Sequence, residues 1–189
     1  VSLTRGGFWH QGNGPKTMEQ LTEIYFKSVG RGQPLLLNVA PDRNGHFTTE
    51  DIARIKEFST AINNTFDENL ATPNTTTAEA SSVRGNSMNF SASKVLDDDH
   101  DSYWTMDDGQ TTGSITIDLG EEKTFDVISI EEYIKLGQRV SEFSVEVFTN
   151  GSWKNFGNGK TIGAKRLVRN SPVSASKIRI KDRKSTRLN

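Results

Sequence analysis

Residues able to do chemistry are densest in KVLDDDHDSYW, the stretch Lys94–Trp104. Asp97, Asp98, Asp99 and Asp101 fall within five residues, with Val95 and Leu96 before them and Tyr103 and Trp104 after. Carboxylates this close repel one another, so a folded loop needs water or a cation between them. A hard ion such as Ca²⁺ takes about six to eight oxygen ligands. Asp97, Asp99 and Ser102, spaced i, i+2 and i+5, could wrap one ion. The same residues also read as a solvated acidic turn.

The elements that must hold this loop come from a chain of 189 residues, enough for one domain or one domain and part of another. A formal net charge of −1 argues against a broad basic face for nucleic acid. Hydrophobic residues make up 33%, a share that suits a β-rich, surface-rich module better than a large helical core. Cysteine is absent, which excludes disulfides and thiolate metal sites and leaves the compartment open, though it fits an exported bacterial protein. No run approaches the roughly twenty apolar residues of a membrane span, and no signal peptide opens the chain. Without an initiator Met and starting mid-pattern, the sequence reads as a fragment.

Gly6–His10 is a strand-to-loop signal. Thr17 and Gln20 are spaced as a capping box for a helix carrying Met18, Leu21, Ile24 and Tyr25 on one face. Gly30 and Gly32 end it. The apolar run Leu35–Val39 predicts a buried parallel strand, and Pro41–Gly45 a turn. Thr48 or Thr49 caps a second helix with an inner stripe of Ile52, Ile55, Phe58, Ser59, Ile62 and Phe66. Two βα units in some seventy residues belong to a parallel α/β domain.

Composition changes at Thr72-Pro73. Asn74–Ser82, rich in Thr, Ala and Ser, reads as a linker or as the ragged first edge of a new domain. Short alternating strands follow at Gly113–Leu119, Val127–Ile130, Phe143–Val147, Trp153–Phe156, Leu167–Val168 and Lys177–Ile180, split by Gly, Asn and Asp turns. They predict an antiparallel sandwich. The last eight residues, DRKSTRLN, break the pattern and read as a non-native tail.

Two segments resemble known families. SVGRGQPLLLNVAPDRNGHFTTEDIARIKEF, Ser28–Phe58, is similar to the closing signature of the family 29 α-L-fucosidases. The resemblance implies that residues 1–72 are the last βα units of a (β/α)8-type catalytic barrel. Val95–Ile180 resembles the F5/8 type C, discoidin-like sandwich classed as carbohydrate-binding module family 32. Glu131–Ile134, Gly137–Val140 and Thr161–Arg166 look like the version fused to fucosidases. The expected fold class is therefore multidomain: a barrel fragment over residues 1–72, then an all-β jelly roll over 73–181, truncated at both ends, with 182–189 as the tail.

The resemblance implies a retaining fucosidase acting on terminal α-L-fucose of glycans, with an Asp nucleophile and a Glu acid/base on earlier strands. No catalytic residue is then expected in this chain. In a barrel the C-terminal strand ends face the substrate, which makes Trp9, His10 and Asn38 substrate-contact candidates. Trp9 could equally pack the rim, and Asn38 could bond loop backbone. In the sandwich, Trp153, Arg139 and Glu131 are the sugar-binding candidates. Arg139 could instead pair with Glu131 or Glu132, and Trp153 could equally be packed.

The same resemblance places a structural Ca²⁺ on the Lys94 carbonyl, Asp97, Asp99 and Ser102. Asp98 stands where relatives have Gly, and the Glu that completes the shell would lie beyond Ile180. Fucosylated glycans are the implied partners, and secretion or a periplasmic location the implied compartment. A non-catalytic carbohydrate-binding or adhesion module is the alternative.

Overall fold

The computed structural model describes residues 1–185, with side chains through Arg183. The chain forms two compact units, Val1–Glu68 and the residues from Asn69 onward.

In the first unit, helix α1 spans Met18–Lys27. The capping box forms: the Thr17 hydroxyl accepts from the Gln20 N–H at 3.3 Å, and the Gln20 carbonyl oxygen accepts from the Thr17 N–H at 3.1 Å. Helix α2 spans Thr49–Thr65, and the Asp51 N–H donates to the Thr48 hydroxyl. Tyr25 of α1 meets Phe58 and Phe66, with centroids 6.2 and 5.9 Å away.

The predicted stripe of α2 is only partly inside. Ile55, Phe58 and Ile62 are half-buried, Ile52 and Phe66 are exposed, and Asp51 is buried. The helix is rotated so that Asp51, rather than Ile52, is covered.

Leu35–Val39 does not form the expected strand. It meets Val1–Leu3 through one parallel bridge, Ser2 with Asn38, and Leu36 stays 83% exposed. An apolar run becomes a buried strand only when neighbours pair with both edges and cover both faces. Among the described residues of this unit there are two α-helices, a 3-10 turn at Val29–Arg31 and two isolated bridges, Ser2 with Asn38 and Thr4 with Pro15, and no barrel sheet.

The second unit is one antiparallel sheet in the order β1-β2-β5-β3-β4. Its strands are β1 (Thr77–Ala80), β2 (Gly113–Ile130), β3 (Val140–Thr149), β4 (Ser152–Gly159) and β5 (Arg166–Ser185). The ragged-edge alternative at Asn74–Ser82 is the one that holds, since β1 pairs with Ala78 opposite Ile117. Thr and Ala carry no pattern strong enough to mark so short an edge strand.

β2 and β5 pair along most of their length, and the register shifts between Asp118 and Lys123. Gly120 sits at this shift with φ +77°, and a Cβ there would lie 2.7 Å from the Thr75 carbonyl oxygen. The irregularity divides the β2–β5 ladder into two halves. The later half lies against β4: Phe125 packs on Phe156, and the Asn170 side-chain N–H donates to the Phe156 carbonyl at 2.8 Å. Between them lies the core, built on Leu96, Ile117, Leu119, Phe143, Val145 and Val147. Each fully buried side chain of this size stabilises the fold by roughly 1.5–3 kcal/mol.

β5 runs on through Asp182–Ser185 and keeps pairing with β3, Val140 facing Ser185. Half of the octet read as a tail therefore continues the ladder, because backbone pairing does not require apolar alternation. Residues 186–189 lie outside the described residues.

Candidate functional site

The candidate residues of the first unit gather around residues 6–9 and 38–44. The Asn38 side-chain N–H donates to the Gly7 carbonyl at 3.0 Å, so Asn38 ties the Gly6–His10 turn to the Leu segment. Trp9 is half-buried, and the Arg43 guanidinium stands 5.9 Å from its ring centroid. Trp9 and Arg43 line a shallow open hollow with Gln11, Asp42 and Asn44. Asp42 accepts from the backbone N–H groups of His46 and Asn44, which hold its carboxyl below the usual range. His10 is exposed. Arg43 is thus the cation that stands beside the Trp9 ring.

The acidic loop brings three of its four predicted donors together. The Ser102 hydroxyl lies 2.8 and 2.7 Å from the two Asp97 carboxylate oxygens and 3.4 Å from the Lys94 carbonyl. The Asp99 carboxylate instead accepts from the Asp101 N–H at 2.9 Å. The Ser102 bond, then the Asp99 N–H and Lys94, hold the Asp97 carboxyl below its ordinary value against burial. The Lys94 ammonium stands 3.3 Å from Asp97 and supplies a positive charge of its own. Asp98 adopts φ +56°, the left-handed turn that glycine makes without strain. The donor set is all oxygen and suits a hard cation, although among the described residues no group of three or more His, Cys, Asp or Glu side chains could hold a metal.

A second cluster joins this loop to two others. Glu131 leaves the end of β2 and Lys165 enters β5, directly beyond the paired residues Ile130 and Arg166. Their side chains form an ion pair at 3.0 Å, and His100 Nδ1 lies 3.5 Å from the same Glu131 carboxylate. Lys135 pairs with Asp101, which holds the Asp101 carboxyl down and the Lys135 ammonium up. The rings of Tyr103 and Tyr133 stack with centroids 4.5 Å apart.

Glu132, which enters the sequence reading only as an alternative partner of Arg139, is the fastener. Its carboxylate accepts from the N–H groups of Arg139 (2.9 Å), Val140 (2.8 Å) and Gly163 (2.7 Å). The Glu132 N–H in turn donates to the Gly163 carbonyl. Arg139 thus meets Glu132 through its backbone, and the GQRV and TIGAKR segments are fixed by one carboxylate. The three motifs were visible as motifs; which of two adjacent glutamates turns inward was not.

Trp153 is elsewhere. It packs on Phe148 at the β3–β4 hairpin, and the Arg179 guanidinium covers its ring 4.0 Å from the centroid. Arg179 and Lys181 both bond Glu146, at 2.5 and 2.7 Å. Trp153 therefore belongs to an ion-paired sheet face, and the structure does not bring it to Glu131 and Arg139.

A folded antiparallel sheet over one apolar core, with polar loops knitted together beside it, defines a discoidin-like module. The F5/8 type C domain family matches residues 77–188, and the chain belongs to that family.

The likeness to known proteins takes in the first unit as well. Putative alpha-L-fucosidase 1 of Oryza sativa subsp. japonica is 41% identical over 169 residues, covering 88% of this chain and 32% of that protein. Alpha-L-fucosidase 1 of Arabidopsis thaliana is 37% identical over 172 residues, covering 89% of this chain and 34% of its own. A Ruminococcus gnavus GH29 fucosidase solved in complex with fucose is 41% identical, with a TM-score of 0.87 over 98% of this chain and 37% of that one. The chain thus spans about a third of the length of the curated relatives it matches.

Proposed function

We propose that this chain is the C-terminal part of a retaining α-L-fucosidase that removes terminal α-L-fucose from glycans, and that its second unit is a carbohydrate-binding module. What supports the reading is a likeness to fucosidases that takes in both units, 98% of the chain at 41% identity. A retaining enzyme places two carboxyl groups about 5–5.5 Å apart across the glycosidic bond, one as nucleophile and one as acid/base.

Four acids of residues 1–68 are suited to other work. Asp42 is held by two backbone N–H groups, Asp51 is buried at a helix start, Glu50 lies in the same first turn, and Glu57 pairs with Arg54. The chain contributes substrate contact through Trp9, with His10 and Asn38 around it, and leaves bond cleavage to carboxylates of the whole enzyme. Pure chain incubated with a chromogenic α-L-fucoside is expected to release no chromophore. Turnover that survives repurification would place the reacting acids within these residues and overturn the assignment.

The second reading, a non-catalytic carbohydrate-binding or adhesion module, is favoured by a second unit that closes its own core. The gene upstream discriminates: an Asp and a Glu on preceding barrel strands support the enzyme, and an unrelated domain there removes it. The same reading takes the protein to be secreted or periplasmic, which fractionation of source cells tests.

The Lys94 carbonyl, Asp97, Asp99 and Ser102 are the residues that would hold Ca²⁺, and the ion would be structural, cross-linking the loop. The convergence of Lys94 O, Asp97 and Ser102 supports this. A calcium-dependent rise in melting temperature is its test.

A further inference from the structure

We infer that the Asn13-Gly14 step is a self-modification site: the Gly14 backbone nitrogen displaces ammonia from the Asn13 side-chain amide, and water opens the resulting ring to aspartate or isoaspartate. The inference rests on the geometry of one loop and is independent of the function proposed above.

Asn is followed by Gly four times, at residues 13, 44, 150 and 158. Gly leaves the approach to its own nitrogen unhindered, because no Cβ stands beside it. The dipeptide alone therefore makes the four steps equivalent. What separates them is whether the backbone is free to turn the Asn side chain onto the next nitrogen.

Three of the four are held. The Gly45 N–H donates to the Asp42 carbonyl at 3.0 Å, and the Asp42 carboxylate accepts from the Asn44 N–H at 2.8 Å and the His46 N–H at 2.9 Å. Asn150 and Gly151 have φ of +49° and +74° in the two-residue turn between Thr149 and Ser152, which face each other across the β3–β4 hairpin. Rotating the Asn150 backbone for ring closure would pull that pair apart. Asn158 and Gly159 lie within β4 opposite Ser144 and Phe143, and a Cβ on Gly159 would stand 2.7 Å from the Phe143 ring.

The Asn13 step is open. Both of its residues are exposed and outside any helix or strand, and nothing lies within 4 Å of where a Gly14 Cβ would be. Among the described residues neither the Asn13 side-chain amide nor the Gly14 N–H has a hydrogen-bond partner. The nearest anchors are the Asn13 N–H, which donates to the His10 carbonyl at 3.1 Å, and the Thr4–Pro15 bridge. They stand on either side of the peptide that must rotate and leave it unbonded. A segment with so few contacts opens at little cost in free energy.

The step balances with water as its one co-reactant. A bond forms from the Gly14 nitrogen to Asn13 Cγ, the Cγ–Nδ2 bond breaks, and the proton of the attacking nitrogen leaves with the ammonia. Water then cleaves one of the two C–N bonds of the cyclic imide. Cleavage at Cγ gives aspartate, and cleavage at the main-chain carbonyl gives isoaspartate. Either product adds a carboxylate two residues from Gln11, which lines the hollow with Trp9 and Arg43.

The test is incubation of the folded chain in mildly alkaline buffer, followed by peptide mapping with mass spectrometry and enzymatic labelling of isoaspartate. Conversion at residue 13 about tenfold faster than at 44, 150 or 158 is expected, a barrier difference of about 1.4 kcal/mol. In denaturing urea the four rates should converge, since each backbone is then free. Gly14→Ala, which fits the open space and a backbone without positive φ, should slow conversion at residue 13 about tenfold. It should leave the melting temperature and the other three rates unchanged. Equal rates at the four steps in the folded chain, or residue 44, 150 or 158 converting first, overturn the inference. So does an Asn13 that stays intact in the folded chain over the time in which the urea sample converts.

Discussion

Glu146 shows how a single carboxylate organises a sheet face. It lies on β3 opposite Arg179 and beside Lys181, both on β5. Burial opposes its ionisation, but the bonds from Lys181 and Arg179 outweigh that and hold the carboxyl below its ordinary value. A carboxyl whose folded value is depressed adds stability above its unfolded value, and that stability is lost as pH falls through the folded value. Unfolding in urea should therefore become easier as pH drops below about 4.3, the ordinary glutamate value. Glu146→Gln should cost about 1–2 kcal/mol at neutral pH, because Arg179 and Lys181 lose a charged acceptor. Its stability should also vary less with pH between 3 and 5, values bracketing about 4.3. Parallel pH profiles of the two proteins would count against the assignment.

At the scale of elements, the register shift in the β2–β5 ladder and the acidic loop shape the second unit. The irregularity at Gly120 lets one strand pair serve both halves of the module, and it appears in sequence only as one glycine among sixteen. The loop follows apolar Leu96, which is buried in the core, and is clasped by Lys135 on Asp101 and His100 on Glu131. Its Asp97–Ser102 contact closes the oxygens on themselves. Ca²⁺ at concentrations on the order of millimolar, the range of extracellular modules, should raise the melting temperature of the second unit. Chelator should reverse the rise and Asp97→Asn abolish it. Identical melts with calcium and with chelator would remove the metal from the site.

For the whole molecule, the division into units near Glu68 matters most. The contact boundary falls a few residues before the composition change at Thr72-Pro73 that marks it in sequence. Residues 63–69 are exposed, so limited proteolysis should cut there first and leave a resistant fragment beginning near Asn69. Initial cleavage inside β2 or β5 would mean that the second unit is not the more stable body. The first unit exposes Leu36 and Phe8, while the second has a closed core, which is why the order of stability is expected to run this way.

By itself the sequence determined the features that depend on neighbours in the chain. The capping box of Thr17 and Gln20, a cap at Thr48 or Thr49, and the alternation at Gly113–Leu119 and Phe143–Val147 all follow from local spacing and backbone preference. So did the crowding of Asp97, Asp99 and Ser102. Only the tertiary structure decided which apolar run would be paired as a strand, and Leu35–Val39 found no more than the one bridge to Ser2. It also decided that Thr77–Ala80 would find a partner in β2, and that Trp153 would lie under Arg179 instead of beside Glu131. The choice between Glu131 facing solvent and Glu132 facing three backbone N–H groups is of the same kind. Strand pairing and carboxylate partners are supplied by residues tens of positions away, and no local pattern encodes a neighbour that only folding brings near.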